Sequence, residues 1–169
     1  MELLFYPIDV DYEITSEGPA IYLYGKTKDG KQVCVVDYFQ PYFYVENDKD
    51  VRYLLENLTA VQGDKTFTIA GLELVEKVFL GKTKELYKVF TGVPKAVPLL
   101  KEAAEKLGLQ CYEYDILFTY RYLIDKQIKP MTLVKVEGSF SGDTFIAESV
   151  EQASGTFDDA EILAIDIET

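Results

Sequence analysis

The sequence predicts an α+β fold in which antiparallel strands are joined by a few packed helices. Three observations predict it. The first 45 residues are dense in Tyr, Val, Ile and Phe and are broken only by turn-forming clusters. Two later segments switch to a helical period, and each is flanked by stretches that return to β-branched and aromatic residues. The last eight residues, Ile162 to Thr169, form a nearly continuous apolar run of strand length.

Residues 3 to 45 read as successive strands joined at Glu17-Gly18-Pro19 and Lys28-Asp29-Gly30, where Asp29-Gly30 is a hairpin signal. Asn47 or Asp48 offers an N-cap for a helix with Val51, Leu54, Leu55 and Leu58 on one face. A strand follows over about 65 to 78, with a bend expected at Gly71, and another over Leu86 to Thr91. From Pro94 to Leu107, Ala96, Leu100, Ala103 and Leu107 share a helical side, with Pro98 near the first turn and Gly108 placed to end the helix. A short strand near Gln110 to Tyr114 completes the order β-α-β-β-α-β from Tyr42 onward. That is the split βαβ arrangement of ferredoxin-like and RNA-recognition (RRM-like) folds. Residues 116 to 126 predict a short amphipathic helix, and Met131 to Val136 predict a strand.

One domain is therefore expected over 1–136. Residues 137–160 are acidic and rich in small residues, and read as a hairpin or linker into a new unit that begins at 161. An apolar run such as Ile162 to Thr169 suits a strand buried on both faces of a central sheet. Such a strand needs neighbours, so the chain is expected to stop inside that second, truncated domain.

At 169 residues and 48% hydrophobic content the chain can bury a real core. Polar residues interrupt every apolar run well short of a bilayer-spanning length, and Met1-Glu2-Leu3-Leu4-Phe5 has neither a basic start nor a cleavage site after it. No membrane partner and a cytoplasmic location are expected. Cys34 and Cys111 fit no metal-ligand spacing and are too few for a disulfide framework, so both read as reduced packing residues. With no histidine, any catalysis has to rest on carboxylates, Tyr or Lys.

The net charge of -12 argues at first against a polyanionic partner. Its distribution weakens that objection. No Lys or Arg follows Lys135, whereas nine acidic residues do, which leaves the first 135 residues at -3. Between Lys77 and Lys106 the balance turns basic, with seven lysines against Glu85, Glu102 and Glu105. This reads either as a modest electrostatic footprint or as a solvated face.

In the terminal run, strand alternation puts Asp166 and Glu168 on one side and Ile165 and Ile167 on the other. Two carboxylates at that spacing suit a hard cation, and Mg²⁺ or Mn²⁺ can activate water for phosphodiester cleavage without any histidine. Asp9-Val10-Asp11 and Glu113-Tyr114-Asp115 share the spacing, so spacing alone leaves a solvated or capping carboxylate as the commoner reading.

Ile162 to Thr169 resembles the first exonuclease motif of family B DNA polymerases, and Asp166 and Glu168 match its two metal-binding acids. Upstream, Asp9-Val10-Asp11-Tyr12, Pro41-Tyr42-Phe43-Tyr44, Phe79-Leu80-Gly81-Lys82 and above all the long block from Tyr112 to Lys126 look like the N-terminal domain of the archaeal members, in the same order. The resemblance implies a parent enzyme that performs templated DNA synthesis and 3′–5′ proofreading with Mg²⁺ or Mn²⁺. Asp166 and Glu168 would be catalytic and metal-binding there, in an RNase H-like exonuclease domain. It also implies nucleoid association, and an N-terminal domain that contacts single-stranded template and primer–template DNA. Within that domain the resemblance implies a pocket for deaminated bases, uracil above all, formed by Tyr12, Pro41, Tyr42, Val97, Ile116, Phe118 and Arg121. The fragment alone, without the remaining exonuclease carboxylates or the polymerase domains, is expected to be inactive and to bind no metal, with the rest of the polymerase chain as its partner.

Leu117 departs from the family pattern, which often has Pro there, and the departure bears on the turn that presents backbone groups to the base. By pattern alone, Tyr12, Tyr42, Val97, Ile116 and Phe118 read as core or strand-packing residues, and Arg121 with Asp125 fits an ordinary i,i+4 ion pair. The alternative is a free-standing ferredoxin- or RNA-recognition-like binding or accessory protein with no catalytic role.

Overall fold

A computed structural model describes residues 1–48 and 51–156. Asp166, Glu168 and the start of a second domain at 161 lie outside the described residues. In chain order the elements are β1 (Glu2–Thr15), β2 (Gly18–Thr27), β3 (Gln32–Tyr38), β4 (Tyr42–Glu46), α1 (Val51–Glu56), β5 (Thr59–Gln62), β6 (Lys65–Phe79), β7 (Lys82–Thr91), α2 (Ala96–Lys106), β8 (Cys111–Tyr112), α3 (Phe118–Asp125), β9 (Thr132–Ser141) and β10 (Thr144–Thr156). They form an α+β fold dominated by strands. Two compact units, each discontinuous in sequence, share this chain. One takes Met1–Asp11, Tyr22–Asp37 and the chain from Leu123 onward, the other Tyr12–Ile21 and Tyr38–Tyr122.

The first unit carries most of a closed barrel with the strand order β1-β2-β3-β10-β9. β9 runs antiparallel to both β1 and β10, with Leu3 opposite Val136 and Phe145 opposite Phe140. β10 runs parallel to β3, from Thr144 opposite Cys34 to Ile146 opposite Val36. A five-stranded closed barrel of this order is the architecture of the OB-fold. Phe5, Leu23, Val35, Val134 and Phe145 are wholly buried, each removing apolar surface worth roughly 1.5–3 kcal/mol. Gly138 is required where the wall is tightest, because a Cβ there would stand 2.0 Å from the Ile146 carbonyl oxygen.

Residues 137–156 thus belong to a hairpin built into the barrel wall. It begins at Thr132 and turns at Gly142-Asp143, with Gly142 at φ +62°. The division expected between 136 and 137 therefore falls inside β9. Strand alternation accommodates the acids of this stretch: Glu137, Glu148 and Glu151 are exposed while Val136, Phe145 and Val150 are buried.

The second unit is a five-stranded sheet in the order β5-β6-β7-β4-β8. β4 is antiparallel to β7 on one side and to β8 on the other, and β6 is antiparallel to β7. The expected β-α-β-β-α-β elements are therefore present as a split βαβ sheet, with β5 added at the edge beside β6. The β6–β7 hairpin closes on Leu80-Gly81 at φ +49° and +76°, a type I′ turn between the paired residues Phe79 and Lys82. The expected bend at Gly71 coincides with a register shift between Ile69 and Gly71.

On one face of this sheet Phe43, Val45 and Val89 pack with Val51, Leu55 and Leu58 from the α1 region and with Ala96, Leu100 and Ala104 from α2. The buried stripe of α2 runs through Ala104. Leu107, expected in it, is exposed, because the helix ends there in a Schellman turn. In that turn Gly108, at φ +80°, donates its N–H to the Glu105 carbonyl (2.9 Å), and Leu109 donates to the Ala104 carbonyl (3.1 Å). The other face gathers Tyr42, Tyr44 and Leu86 with Phe39, Val75, Phe90 and Tyr112.

Candidate nucleic-acid interface

Four stretches of the second unit meet around a cleft of about 350 Å³. Its walls include Tyr12, Pro41, Tyr42, Val97, Ile116, Phe118 and Arg121, so all seven residues singled out from the sequence line one cavity. Pro94, Lys95, Pro98, Tyr114, Asp115, Leu117 and Thr119 complete it. The volume lies near the small end of the roughly 300–1,000 Å³ usual for small-molecule pockets.

Each wall has a local cause. Pro41 precedes β4, and its carbonyl accepts the N–H of Thr91 at 2.8 Å, which ties it to the end of the central strand β7. The wholly buried Thr91 hydroxyl donates to the Val93 carbonyl at 3.0 Å and so fixes the short link into α2, the helix that delivers Val97. The first N–H groups of α2 are satisfied by the same link: Ala96 donates to Val93 and Val97 to Pro94. On the other side, the carbonyl of Leu117 accepts the N–H of Arg121 at 2.8 Å, opening α3 just as Phe118 and Arg121 turn inward. Leu117 itself is 65% exposed on the rim.

The aromatic lining is connected edge to face. Tyr12 meets Phe118 with ring centroids 5.2 Å apart and planes at 81°, and stays 40% exposed, so it presents open ring surface. Phe39 lies behind the lining, 5.7 Å from Phe118, 6.3 Å from Tyr42 and 5.3 Å from Tyr122. The guanidinium carbon of Arg121 sits 4.9 Å from the Tyr42 ring centroid, and Lys88 Nζ lies 4.0 Å from the same ring. Lys101 holds Tyr114 in the same way at 4.1 Å.

Arg121 is buried, and its Nη2 pairs with the Glu113 carboxylate at 2.7 Å. A buried arginine so held is a fixed part of the wall, a role that a surface i,i+4 pair would not give it. Sequence reasoning missed Phe39, Lys88 and Glu113. Phe39 could have been found by its place in the run Phe39-Gln40-Pro41-Tyr42; Glu113 stood out only as half of an acid pair with Asp115, and nothing in that spacing points to Arg121.

On the sheet face that carries Tyr42, at the other end of β4, Glu46 accepts the Tyr112 hydroxyl at 2.5 Å and meets Lys84 Nζ at 2.9 Å. These two contacts hold the Glu46 carboxyl below its ordinary value, the Tyr112 hydrogen bond contributing most. The same contacts, reciprocally, raise Tyr112 and Lys84.

No family model matches the chain. DNA polymerase 2 of Aeropyrum pernix is 38% identical over 136 residues, which is 76% of this chain and 17% of that protein. DNA polymerase 1 of Pyrococcus abyssi is 35% identical over 148 residues, 85% of this chain and 18% of that protein. Among solved structures, the family B DNA polymerase from the hyperthermophilic archaeon Pyrobaculum calidifontis superposes with a TM-score of 0.75 at 32% identity, over 89% of this chain and 20% of that one. The chain therefore spans only between 8% and 20% of the length of the relatives it matches. Over most of its length it is homologous to the N-terminal segment of archaeal family B DNA polymerases.

Proposed function

We propose that this chain is the template-binding part of a DNA-directed DNA polymerase and that its cleft captures a flipped pyrimidine of single-stranded DNA, accepting uracil in preference to thymine. One observation carries the reading: residues as distant in sequence as Tyr12, Val97 and Arg121 line a single cavity with aromatic and apolar walls. An extruded base needs apolar surface above and below it and polar groups at its edge. Tyr12, Tyr42 and Phe118 supply the first. Backbone groups of the Asp115-Ile116-Leu117 turn supply the second, and Arg121, fixed by Glu113, stabilises the wall behind them. The methyl group of thymine is rejected by lack of room.

The parent enzyme would join nucleotides on a template and proofread 3′–5′. Asp166 and Glu168 are hard oxygen donors suited to Mg²⁺ or Mn²⁺, which would supply activation of water at the phosphodiester when bound. Titration of single-stranded oligodeoxynucleotides with and without one deoxyuridine, at fixed moderate salt, tests the cleft. Tighter binding of the uracil strand is expected, and equal affinities would remove the sensing function.

A further inference from the structure

Tyr42 belongs to two surfaces. Its ring lines the cleft, and it also begins a row of side chains that crosses the sheet along β7 and β6. Strand alternation puts Lys82, Lys84, Leu86, Lys88 and Phe90 of β7 on one face. The register sets Lys77 opposite Lys84 and Phe79 opposite Lys82, while Tyr42 and Tyr44 of β4 stand opposite Phe90 and Lys88. Three ammonium groups of this face rest on rings. Lys88 lies 4.0 Å from Tyr42 and 5.1 Å from Phe90, Lys77 lies 5.1 Å from Tyr44, and Lys84 lies 5.3 Å from Phe79 and 5.6 Å from Tyr112.

The charges are sorted by face. Lys77 and Lys84 are direct cross-strand partners, and so are Glu76 and Glu85 on the opposite face. Like charges placed directly opposite destabilise a sheet, so the pattern needs another reason. In a chain of net charge -12, this face sets Lys77, Lys82, Lys84 and Lys88 against Glu46 and Glu73, with Glu46 already engaged by Lys84. Ammonium groups seated on rings have less freedom left to lose on meeting a phosphate. From Lys82 to Lys88 the row is roughly 20 Å long at about 3.4 Å per residue, enough to follow a strand over several nucleotides.

We infer that this face is a phosphate track for single-stranded DNA: the strand whose base enters the cleft continues across Lys88 toward Lys77, Lys82 and the Leu80-Gly81 turn. The inference rests on the reading of the cleft as a template site and extends it to the path of the strand. Backbone contact of this kind fixes where the strand lies without reading its sequence.

The test uses the full chain and three single-stranded oligodeoxynucleotides, each with one deoxyuridine: a short one, one extended only on the 5′ side and one extended only on the 3′ side. Matched thymidine strands are measured in parallel, by fluorescence anisotropy over a salt series. The variant is Lys77→Gln with Lys82→Gln, two exposed positions outside the cleft. It should weaken binding of one of the two extended strands and flatten its log affinity against log salt by about 1.4, from about 0.7 per phosphate on a single strand. The short strand and the uracil-to-thymine ratio should not change, and Lys77→Glu should weaken the same extended strand further. Unchanged affinities and slopes on both extended strands overturn the track, even with uracil preference intact. A flattened slope without any uracil preference supports the track and sinks the cleft reading instead.

Discussion

Glu113 grips Arg121 twice: its carboxylate oxygen lies 2.7 Å from Arg121 Nη2, and its backbone carbonyl accepts from the same nitrogen at 3.3 Å. The arginine side chain is only 6% exposed, so removing the carboxylate takes a charged partner from a buried group in the wall of the cleft. Breaking a fully buried pair costs roughly 3–5 kcal/mol. Because the Glu113 side chain is 43% exposed, water screens part of that loss, and Glu113→Gln is expected to cost about 1–2 kcal/mol. Urea unfolding with an unchanged m-value checks it.

Tyr12 separates binding from folding. Its ring is 40% exposed and touches Phe118 at one edge, so Tyr12→Ala should lower stability by less than about 1.5 kcal/mol, the upper range of an aromatic pair. If a base stacks against it, affinity for a deoxyuridine strand should fall by about 1–3 kcal/mol, roughly 5- to 150-fold. Anisotropy titration beside a thermal melt measures both quantities on one sample.

The Glu46, Tyr112 and Lys84 group gives stability a defined pH dependence. The folded-state value of Glu46 is lowered from the ordinary 4.5, first by the Tyr112 hydroxyl and then by Lys84. Its contribution is therefore complete above 4.5 and is lost as pH falls through the lowered value. Tyr112→Phe should lose a modest amount of stability at neutral pH and none at the acid end. The two proteins' melting temperatures should converge only as pH falls through that lowered value.

The two thiols should react unequally. Burial pushes the Cys111 thiol up to about 11, and Cys34, less buried, is raised by the same cause. At pH 8 the native chain should take up iodoacetamide at Cys34 alone and the denatured chain at both, as mass spectrometry will count. The sign at high pH follows. A raised folded value keeps the Cys111 contribution intact below 9 and loses it as pH rises toward 11.

Gly138 should tolerate no side chain. Its added Cβ would meet backbone at 2.0 Å, which no rotamer change relieves, so Gly138→Ala should cost about 3 kcal/mol or more. Gly92→Ala, with nothing within 4 Å of the added carbon and no positive φ, should be near neutral. Denaturant midpoints of the pair make the comparison.

Much of the second unit was legible because its signals are local. Gly71 marked the bend of β6, Gly108 ended α2, and the spacing from Val51 to Leu58 placed α1. The barrel was not, since Leu3 finds Val136 and Cys34 finds Thr144 across more than a hundred residues, and no short window records such pairings. Acidic and small residues from 137 to 156 look like linker composition until the strand period separates exposed Glu137 and Glu151 from buried Phe145 and Val150. The cleft was readable only through its family likeness. Val97 and Phe118 taken singly are ordinary packing residues, and both are in fact buried.

Interrupting one barrel with another unit also sets an order of events at the ribosome. Residues 38–122 carry the whole five-stranded sheet, joined in that unit by the earlier Tyr12–Ile21, and are all made before β9 and β10, for which β1, β2 and β3 wait. The delay from Tyr122 to Thr156 is a few seconds at roughly 5–20 residues per second. During that interval the early strands expose unsatisfied edges, so gene fragments cut before β10 should aggregate.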